Sequence, residues 1–260
     1  MKKIEKRHFR VSTGPDSSVH ACLNRPIIEA TSPTVFIFSH GFSVDGAESF
    51  RLFILLSEKL VALGYPCILF DYRGNGYSDL PFEDMTFDTM IEDLNAVTDF
   101  AKNEFPNHQI TFWGMSLGCA VAASVASLRK DLSLIILWCL SADLFQRYKE
   151  RFGPDMEKQG FVYIDKGFTV KRKFLNSLKD RDIFNSIKLA SIPCLLVHGT
   201  ADTTASVELS RTAHIISPEN TTLIEIFDGN HGFKLQPIQF AKAVELTFSW
   251  IDQKLNKQFK

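Results

Sequence analysis

Residues 109–126 read QITFWGMSLGCAVAASVA, and this stretch decides the fold class. Its first five residues are mostly apolar, with β-branched and aromatic side chains, and predict a buried strand. Residues 117–128 are rich in Ala and Ser and predict a closely packed helix. Between them, Gly114-Met115-Ser116-Leu117-Gly118 predicts a tight strand-to-helix turn that lifts the serine hydroxyl above the end of the strand. The two glycines remove Cβ atoms that would clash in so sharp a turn.

The same alternation of strand and helix continues on both sides of this turn. Further strands are predicted at 7–13, 18–24, 34–39, 66–70, 132–140, 193–197 and 221–227, and further helices at 49–63, 87–105, 206–216 and 238–256. Residues 143–190 interrupt the pattern, since they are charged, aromatic and helix-leaning, with no predicted buried strand. We therefore predict an α/β fold in one domain over residues 1–260. Its mostly parallel eight-stranded sheet is flanked by helices, with a short helical cap inserted at about 143–190.

Composition excludes several classes of protein. The net charge is −1, which argues against a nucleic-acid-binding protein. The longest apolar run, Leu134 to Leu140, is far shorter than the roughly 20 residues of a membrane span. The five Cys are odd in number and form no CxxC pair, so neither a disulfide framework nor a cysteine-rich metal site is expected. With no signal-like N-terminus, these features predict a soluble, cytoplasmic protein.

A serine hydroxyl becomes a nucleophile only when a base takes its proton. The candidate base is His231, in the loop Asp228-Gly229-Asn230-His231-Gly232 between the last strand and the last helix. Such a loop can place an imidazole over the edge of the sheet. His40 and His198 also end strands at that edge and remain alternatives.

A carboxylate is needed to hold the base in the correct tautomer. Asp202 follows a strand at the same edge and gives the order Ser116, Asp202, His231. Asp143, after the preceding strand, is a rival, and Asp228 is less suitable because it lies so close to the histidine. The alternative role of Asp202 is to cap the next helix.

Two backbone N–H groups are expected to stabilise a developing oxyanion. One is that of Leu117, directly after the serine, and the other is that of Phe42 in His40-Gly41-Phe42, after the third strand. This chemistry needs neither a cofactor nor a metal.

Several of these motifs resemble the α/β-hydrolase superfamily over nearly the whole chain. They are HGF at 40–42, DYRGNGYS at 71–78, GMSLG at 114–118, HGTAD at 198–202 and GNHGF at 229–233. The run from HGF through FDYRGNGYSD and FEDMT looks like the bacterial cinnamoyl and feruloyl esterases. That resemblance implies the α/β-hydrolase fold, a short inserted cap and cleavage of small aromatic carboxylic esters.

The predicted cap has an unusual composition. Residues 143–190 hold 11 basic and 7 acidic residues, and six of the 23 Phe of the chain. This favours a lid over an apolar pocket, with Phe145, Phe161 and Phe168, and Phe233 beside the catalytic loop, as substrate-binding residues. The basic residues would suit acidic or carboxylate-bearing esters. The alternative is a solvated helical surface with its Phe side chains packed inward.

Together these features predict a serine carboxylic-ester hydrolase. It would act through an acyl-enzyme on small, apolar or aromatic ester substrates, with a homodimer possible. Alternatives with the same triad are a thioesterase, a monoacylglycerol lipase and a serine aminopeptidase. A non-catalytic binding protein with this fold is the alternative from another class.

Overall fold

The computed structural model describes residues 4–27, 33–164 and 167–256; the remainder of the predicted domain, including cap residues 165–166, lies outside the described residues. The chain forms ten strands and eight α-helices within these ranges. The strands are β1 (Ile4–Gly14), β2 (Ser17–Pro26), β3 (Thr34–Ser39), β4 (Cys67–Phe70), β5 (Gln109–Met115), β6 (Leu132–Trp138), β7 (Phe161–Ile164), β8 (Phe168–Lys171), β9 (Cys194–Gly199) and β10 (Thr221–Ile226). The helices are α1 (Leu52–Ala62), α2 (Phe87–Glu104), α3 (Leu117–Ala126), α4 (Leu144–Gln159), α5 (Arg172–Ser177), α6 (Ile183–Ala190), α7 (Val207–Ile216) and α8 (Pro237–Asn256).

Eight of these strands form one sheet, in the order β1-β2-β4-β3-β5-β6-β9-β10. β1 pairs with β2 and β2 with β4 in antiparallel fashion, while the remaining neighbours are parallel. Apolar side chains of α2, α3, α6 and α7 cover one face of the sheet, and those of α1 and α8 cover the other. The predicted α/β fold with a mostly parallel eight-stranded sheet is therefore confirmed.

The third strand shows why the central strands are apolar at every position. Val35 and Ile37 belong to the hydrophobic core beneath α2 and α3, whereas Phe36 and Phe38 belong to the core beneath α1 and α8. All four side chains are fully buried. Successive residues of a strand face opposite sides of the sheet, so a strand covered on both sides must be apolar throughout.

The segment predicted as a helical cap is not wholly helical. Besides α4 and α5 it contains the antiparallel hairpin of β7 and β8. Val162 and Val170 are register partners in that hairpin and are both buried, so the expectation that this segment has no buried strand is wrong. In the sequence, charged residues lie close to both valines, and they hide the short alternation of apolar and polar residues that is typical of a strand. Its last helix, α6, packs against α3 and α7 in the layer that flanks the sheet.

Parallel strands place the loops that follow them at one edge of the sheet. The loop after β3 carries Phe42, and the turn after β5 carries Ser116. Cys139 directly follows β6, Asp202 follows β9, and His231 follows β10. The strand order therefore places five segments that are distant in sequence at the same edge of the sheet.

Across the described residues, none of the helices has both the length and the apolar character required to cross a membrane.

Candidate active site

Ser116 stands at the turn between β5 and α3 with a strained backbone. Its φ of 54° and ψ of −118° lie outside the conformations that residues other than glycine readily adopt. A Cβ on Gly114 would come within 2.7 Å of the backbone of Cys119, and one on Gly118 within 2.0 Å of the carbonyl oxygen of Ser39. The two glycines are therefore required by close backbone contacts on either side of the serine, as the motif predicted.

His231 and Asp202 are hydrogen-bonded to one another. Nδ1 of His231 lies 2.7 Å from Oδ2 of Asp202, and since a carboxylate only accepts, the imidazole donates. Oδ1 of Asp202 accepts from the N–H groups of Thr204 and Ala205, at 2.8 and 2.9 Å. The carboxylate is thus held by the turn after β9, and among the described residues no hydrogen bond engages Nε2 of His231.

The environment of Asp202 keeps its carboxyl ionised. Burial acts to raise the pKa of Asp202, but hydrogen bonds from His198 and His231 and the N–H of Ala205 outweigh burial and hold that pKa well below its usual range. An ionised carboxylate can stabilise the imidazolium that forms when His231 takes a proton.

The structure gives His40 a different role from that of a base. This fully buried imidazole accepts a hydrogen bond from the N–H of Tyr72 at Nε2, 3.0 Å away, and its Nδ1 lies 2.9 Å from the carbonyl oxygen of Gly41. Burial lowers the pKa of His40, which favours the neutral ring that such a bonding pattern requires. His40 therefore links the loops after β3 and β4.

His198 contacts the Asp202 carboxylate but does not line the cavity. Its Nε2 is 3.3 Å from Oδ2 of Asp202 and 2.9 Å from the carbonyl oxygen of Ala205, and its Nδ1 is 2.7 Å from the Ser210 hydroxyl. The ring is fully buried. His198 thus supports the position of Asp202 and has no access to a substrate.

Neither rival acid is paired with His231. The side chain of Asp143 is 42% exposed and lies 3.8 Å from the Arg147 guanidinium. Asp228 is exposed. The alternative role of Asp202 as a helix cap is also excluded, because Ser206 caps α7.

Of the two expected oxyanion donors, Leu117 directly follows the serine and Phe42 lines the same cavity as the serine. Among the described residues, neither the N–H of Phe42 nor that of Leu117 donates a hydrogen bond. A Cβ on Gly41 would lie 3.5 Å from Cβ of Ser116, which shows how closely the loop after β3 approaches the elbow.

Glu48 is a buried carboxylate beside this loop that the sequence did not reveal. Its Oε2 accepts from the N–H of Gly41 at 2.7 Å and its Oε1 from the N–H of Ser49 at 2.8 Å. Its φ of 58° and ψ of 169° fall in a region that favours glycine. Glu48 thereby fixes the backbone that precedes Phe42, at the cost of local strain. No motif marked it, because its contact depends on a loop conformation.

A cavity of about 400 Å³ lies next to these residues. Ser116, His231 and Phe42 line it together with Glu48. The Ser116 hydroxyl lies 3.4 Å from that of Ser141 and, within the described part of the chain, makes no hydrogen bond to His231. Catalytic hydrogen bonds are often long in structures without substrate, and rotation about one bond redirects a hydroxyl. The structure therefore brings the three predicted triad residues to one site.

The four Phe residues predicted to bind substrate do not line this cavity. Phe168 stacks on Phe82 with ring centroids 4.3 Å apart, and Phe161 lies in the hairpin of β7 and β8. Phe145 packs against the core beneath α2 and α3, and Phe233 is buried in the core beneath α8. Phe168 and Phe233 thus pack against other apolar side chains, whereas the ring of Phe145 also has the ammonium groups of Lys149 and Lys179 within 6 Å of its centroid.

Two aromatic residues, Phe42 and Tyr148, line the cavity. The ring of Phe42 contacts that of Tyr148 in α4, with centroids 5.1 Å apart. It also contacts Phe174 of α5 at 5.2 Å and Phe82 at 5.6 Å. One residue thus supplies a candidate oxyanion donor through its backbone and anchors the cap through its side chain.

Cys139, Asp202 and His231 offer ligand atoms within 4.8 Å of one another. Burial and the nearby charge of Asp202 raise the pKa of the Cys139 thiol well above its usual range. Thiolate, rather than thiol, is the form that binds metal, and His231 Nδ1 is already committed to Asp202. These groups therefore fit a hydrogen-bonded pair better than a metal centre.

Comparison with known proteins agrees with this architecture. A family model described as alpha/beta hydrolase fold matches residues 34–137. The structure of Est1E from Butyrivibrio proteoclasticus with ferulic acid bound superposes with a TM-score of 0.82 at 20% identity, covering 94% of this chain and 99% of that one.

Two curated proteins match by sequence. The quorum-quenching protein AidA of Acinetobacter baumannii is 29% identical over 133 residues, which is 50% of this chain but 42% of that protein. The AB hydrolase superfamily protein YisY of Bacillus subtilis is 24% identical over 213 residues, 67% of this chain and 76% of that protein. The chain thus has the α/β-hydrolase fold.

Proposed function

We propose that this protein is a serine carboxylic-ester hydrolase that acts through an acyl-enzyme. The observation that carries the proposal is the 2.7 Å hydrogen bond between His231 and an ionised Asp202. That pair shares a cavity with a serine held on a strained turn. Strain of this kind persists where the surrounding structure requires it, as at active sites.

The geometry supports the following sequence of steps. Asp202 holds the proton of His231 on Nδ1, so Nε2 takes the hydroxyl proton as the oxygen of Ser116 attacks the ester carbonyl. The N–H groups of Phe42 and Leu117 stabilise the oxyanion. His231 then gives its proton to the leaving alcohol. A water molecule, activated in turn by His231, hydrolyses the acyl-enzyme and regenerates Ser116.

The dimensions of the cavity favour small substrates. A volume of about 400 Å³ is at the lower end of the range for sites that bind small molecules. Phe42 and Tyr148 provide aromatic surface for an acyl or aryl group. Ferulic acid bound to Est1E, a protein of the same fold, is an aromatic acid of this size class.

A fluorophosphonate probe and p-nitrophenyl butanoate test the proposal together. The wild-type protein is expected to react with both, and Ser116→Ala with neither. The matched control is Ser124→Ala, which removes a hydroxyl from the same helix, α3, away from the cavity. Loss of labelling in the control as well, or hydrolysis that persists in Ser116→Ala, would refute the assignment of the nucleophile. A folded wild type that reacts with neither reagent would favour a binding protein.

A further inference from the structure

Positive charge dominates the lining of the active-site cavity. Arg147 and Arg151 project from α4, and Lys234 follows His231 by three residues in the loop after β10. Because Arg147 and Arg151 are four residues apart on a helix, they share one face. The cations therefore stand on two walls, one from the cap and one from the catalytic loop.

Glu48, the acidic residue in the lining, offsets only part of this charge, since three cations stand against one carboxylate. Both carboxylate oxygens of Glu48 accept backbone hydrogen bonds, from Gly41 and from Ser49. No ion pair joins Glu48 to Arg147, Arg151 or Lys234. The cavity therefore carries an excess of positive charge next to the nucleophile.

The cations differ in how far they are already engaged. Arg147 donates to the carbonyl oxygen of Thr204 at 3.0 Å and has Asp143 at 3.8 Å. The guanidinium of Arg151 lies 5.0 Å from the centroid of the Phe152 ring. Within the described part of the chain, no carboxylate lies within 4.0 Å of a side-chain nitrogen of Arg151 or Lys234. These two side chains are free to bind an anion.

Three other basic residues of the segment 143–190 are paired with carboxylates. Lys171 binds Glu83 at 2.6 Å and Lys173 binds Asp84 at 2.5 Å, and both acids lie in the turn before α2. Arg181 pairs with Asp88 at the start of α2. These ion pairs tie the cap to the body of the protein. These three residues therefore differ from Arg151 and Lys234, which line the cavity without a carboxylate partner among the described residues.

We propose that the substrate is an ester that also bears a carboxylate, which Arg151 and Lys234 bind while Ser116 attacks the ester carbonyl. This inference rests on the proposed hydrolase function and specifies its substrate class. Arg147, closer to its own partners, adds to the positive field. Partly enclosed cations of one sign raise the local concentration of an anionic substrate and orient it. The carboxylate can belong to the acyl or to the alcohol part of the ester.

Two pairs of esters test this substrate class. For the acyl part, p-nitrophenyl hydrogen adipate is compared with p-nitrophenyl hexanoate. For the alcohol part, 3-(butanoyloxy)benzoate is compared with phenyl butanoate. We expect kcat/KM, corrected for spontaneous hydrolysis, to be about tenfold higher for the anionic member of one pair. The preference should shrink as ionic strength rises past about 0.1 M, where the Debye length is about 10 Å.

Variants show whether these cations cause the preference. Arg151→Gln and Lys234→Gln are each expected to lower the anionic-to-neutral ratio of kcat/KM about fivefold. The matched control is Lys188→Gln, which removes an exposed charge of α6 outside the cavity and should leave the ratio at its wild-type value.

The outcomes separate this inference from the function on which it rests. Hydrolysis of the neutral esters without preference in either pair, or a ratio unchanged in both variants, would overturn the anionic substrate class and leave the hydrolase function standing. If the wild type hydrolyses none of the four esters, the proposed function itself is wrong.

Discussion

Asn in place of Asp202 is expected to keep His231 in position but to move its proton to the wrong nitrogen. Oδ1 of Asp202 accepts from two backbone N–H groups, those of Thr204 and Ala205. The carbonyl oxygen of Asn must therefore take the Oδ1 position, which places the NH2 group at Oδ2, 2.7 Å from Nδ1 of His231. An NH2 group donates, so Nδ1 must accept and the proton moves to Nε2. In that tautomer His231 cannot accept the proton of Ser116.

The size of the effect follows from the interactions that are lost. Turning the amide over to restore the active tautomer would leave two backbone N–H groups facing an NH2 group, at about 1–3 kcal/mol for each unsatisfied group. The variant also lacks the negative charge that stabilises the imidazolium. We expect kcat/KM to fall about 10³- to 10⁴-fold, equivalent to about 4–5.5 kcal/mol in the activation free energy.

The assay is hydrolysis of p-nitrophenyl butanoate, with the rate of fluorophosphonate labelling as a second measure of nucleophilicity. Asp228→Asn is the matched control, since it removes an exposed carboxylate three residues before His231. Thermal unfolding of both variants checks that the fold is retained. Asp202→Asn with more than a tenth of wild-type kcat/KM, or an equal loss in Asp228→Asn, would refute the assignment of Asp202.

Three further perturbations test the surroundings of the site. Gly118→Ala is expected to lower the free energy of unfolding by at least about 2 kcal/mol in urea titration, since its Cβ would lie 2.0 Å from the carbonyl oxygen of Ser39; a shift below about 0.5 kcal/mol would contradict this. Glu48→Ala should lower kcat about tenfold with little change in KM, because the loop that holds Phe42 loses its anchor. Glu48→Gln should recover part of that loss, since one acceptor oxygen remains, and equal activity in the two variants would argue against positioning.

The third perturbation is a change of pH. The pKa of Asp202 is below its ordinary value in the folded protein, so the ionised carboxylate contributes stability that is present above about pH 4 and is lost as the pH falls through the folded pKa. The difference in unfolding free energy between wild type and Asp202→Asn should therefore shrink between about pH 5 and pH 2. A difference independent of pH would count against this linkage.

Much of the site could be predicted because its residues occupy fixed places in a strongly periodic chain. Ser116 lies in a short motif between an apolar strand and a small-residue helix, and the glycines beside it have no alternative in the space available. Asp202 and His231 could be chosen because parallel strands end at one edge of the sheet. These inferences need the order of elements and local backbone geometry, both of which the sequence encodes directly.

The choice between rival histidines and acids needed three-dimensional contacts. His40 and His198 end strands at the same edge as the site, and they differ from His231 in which backbone groups their ring nitrogens meet. The spacing of residues along the sequence does not indicate which groups a ring nitrogen will contact. Glu48 was missed for a similar reason, since its role depends on a loop conformation with positive φ.

The sequence by itself determined the fold class, the elbow serine and the edge of the sheet at which chemistry could occur, because local periodicity and steric demands specify these. The tertiary structure decided what the cap does. It packed Phe145, Phe168 and Phe233 against the hydrophobic cores and placed Arg151 and Lys234 in the lining of the cavity. The composition gives the number of charged and aromatic residues in the chain. Which of these residues face a cavity depends on packing between segments that are far apart in the sequence.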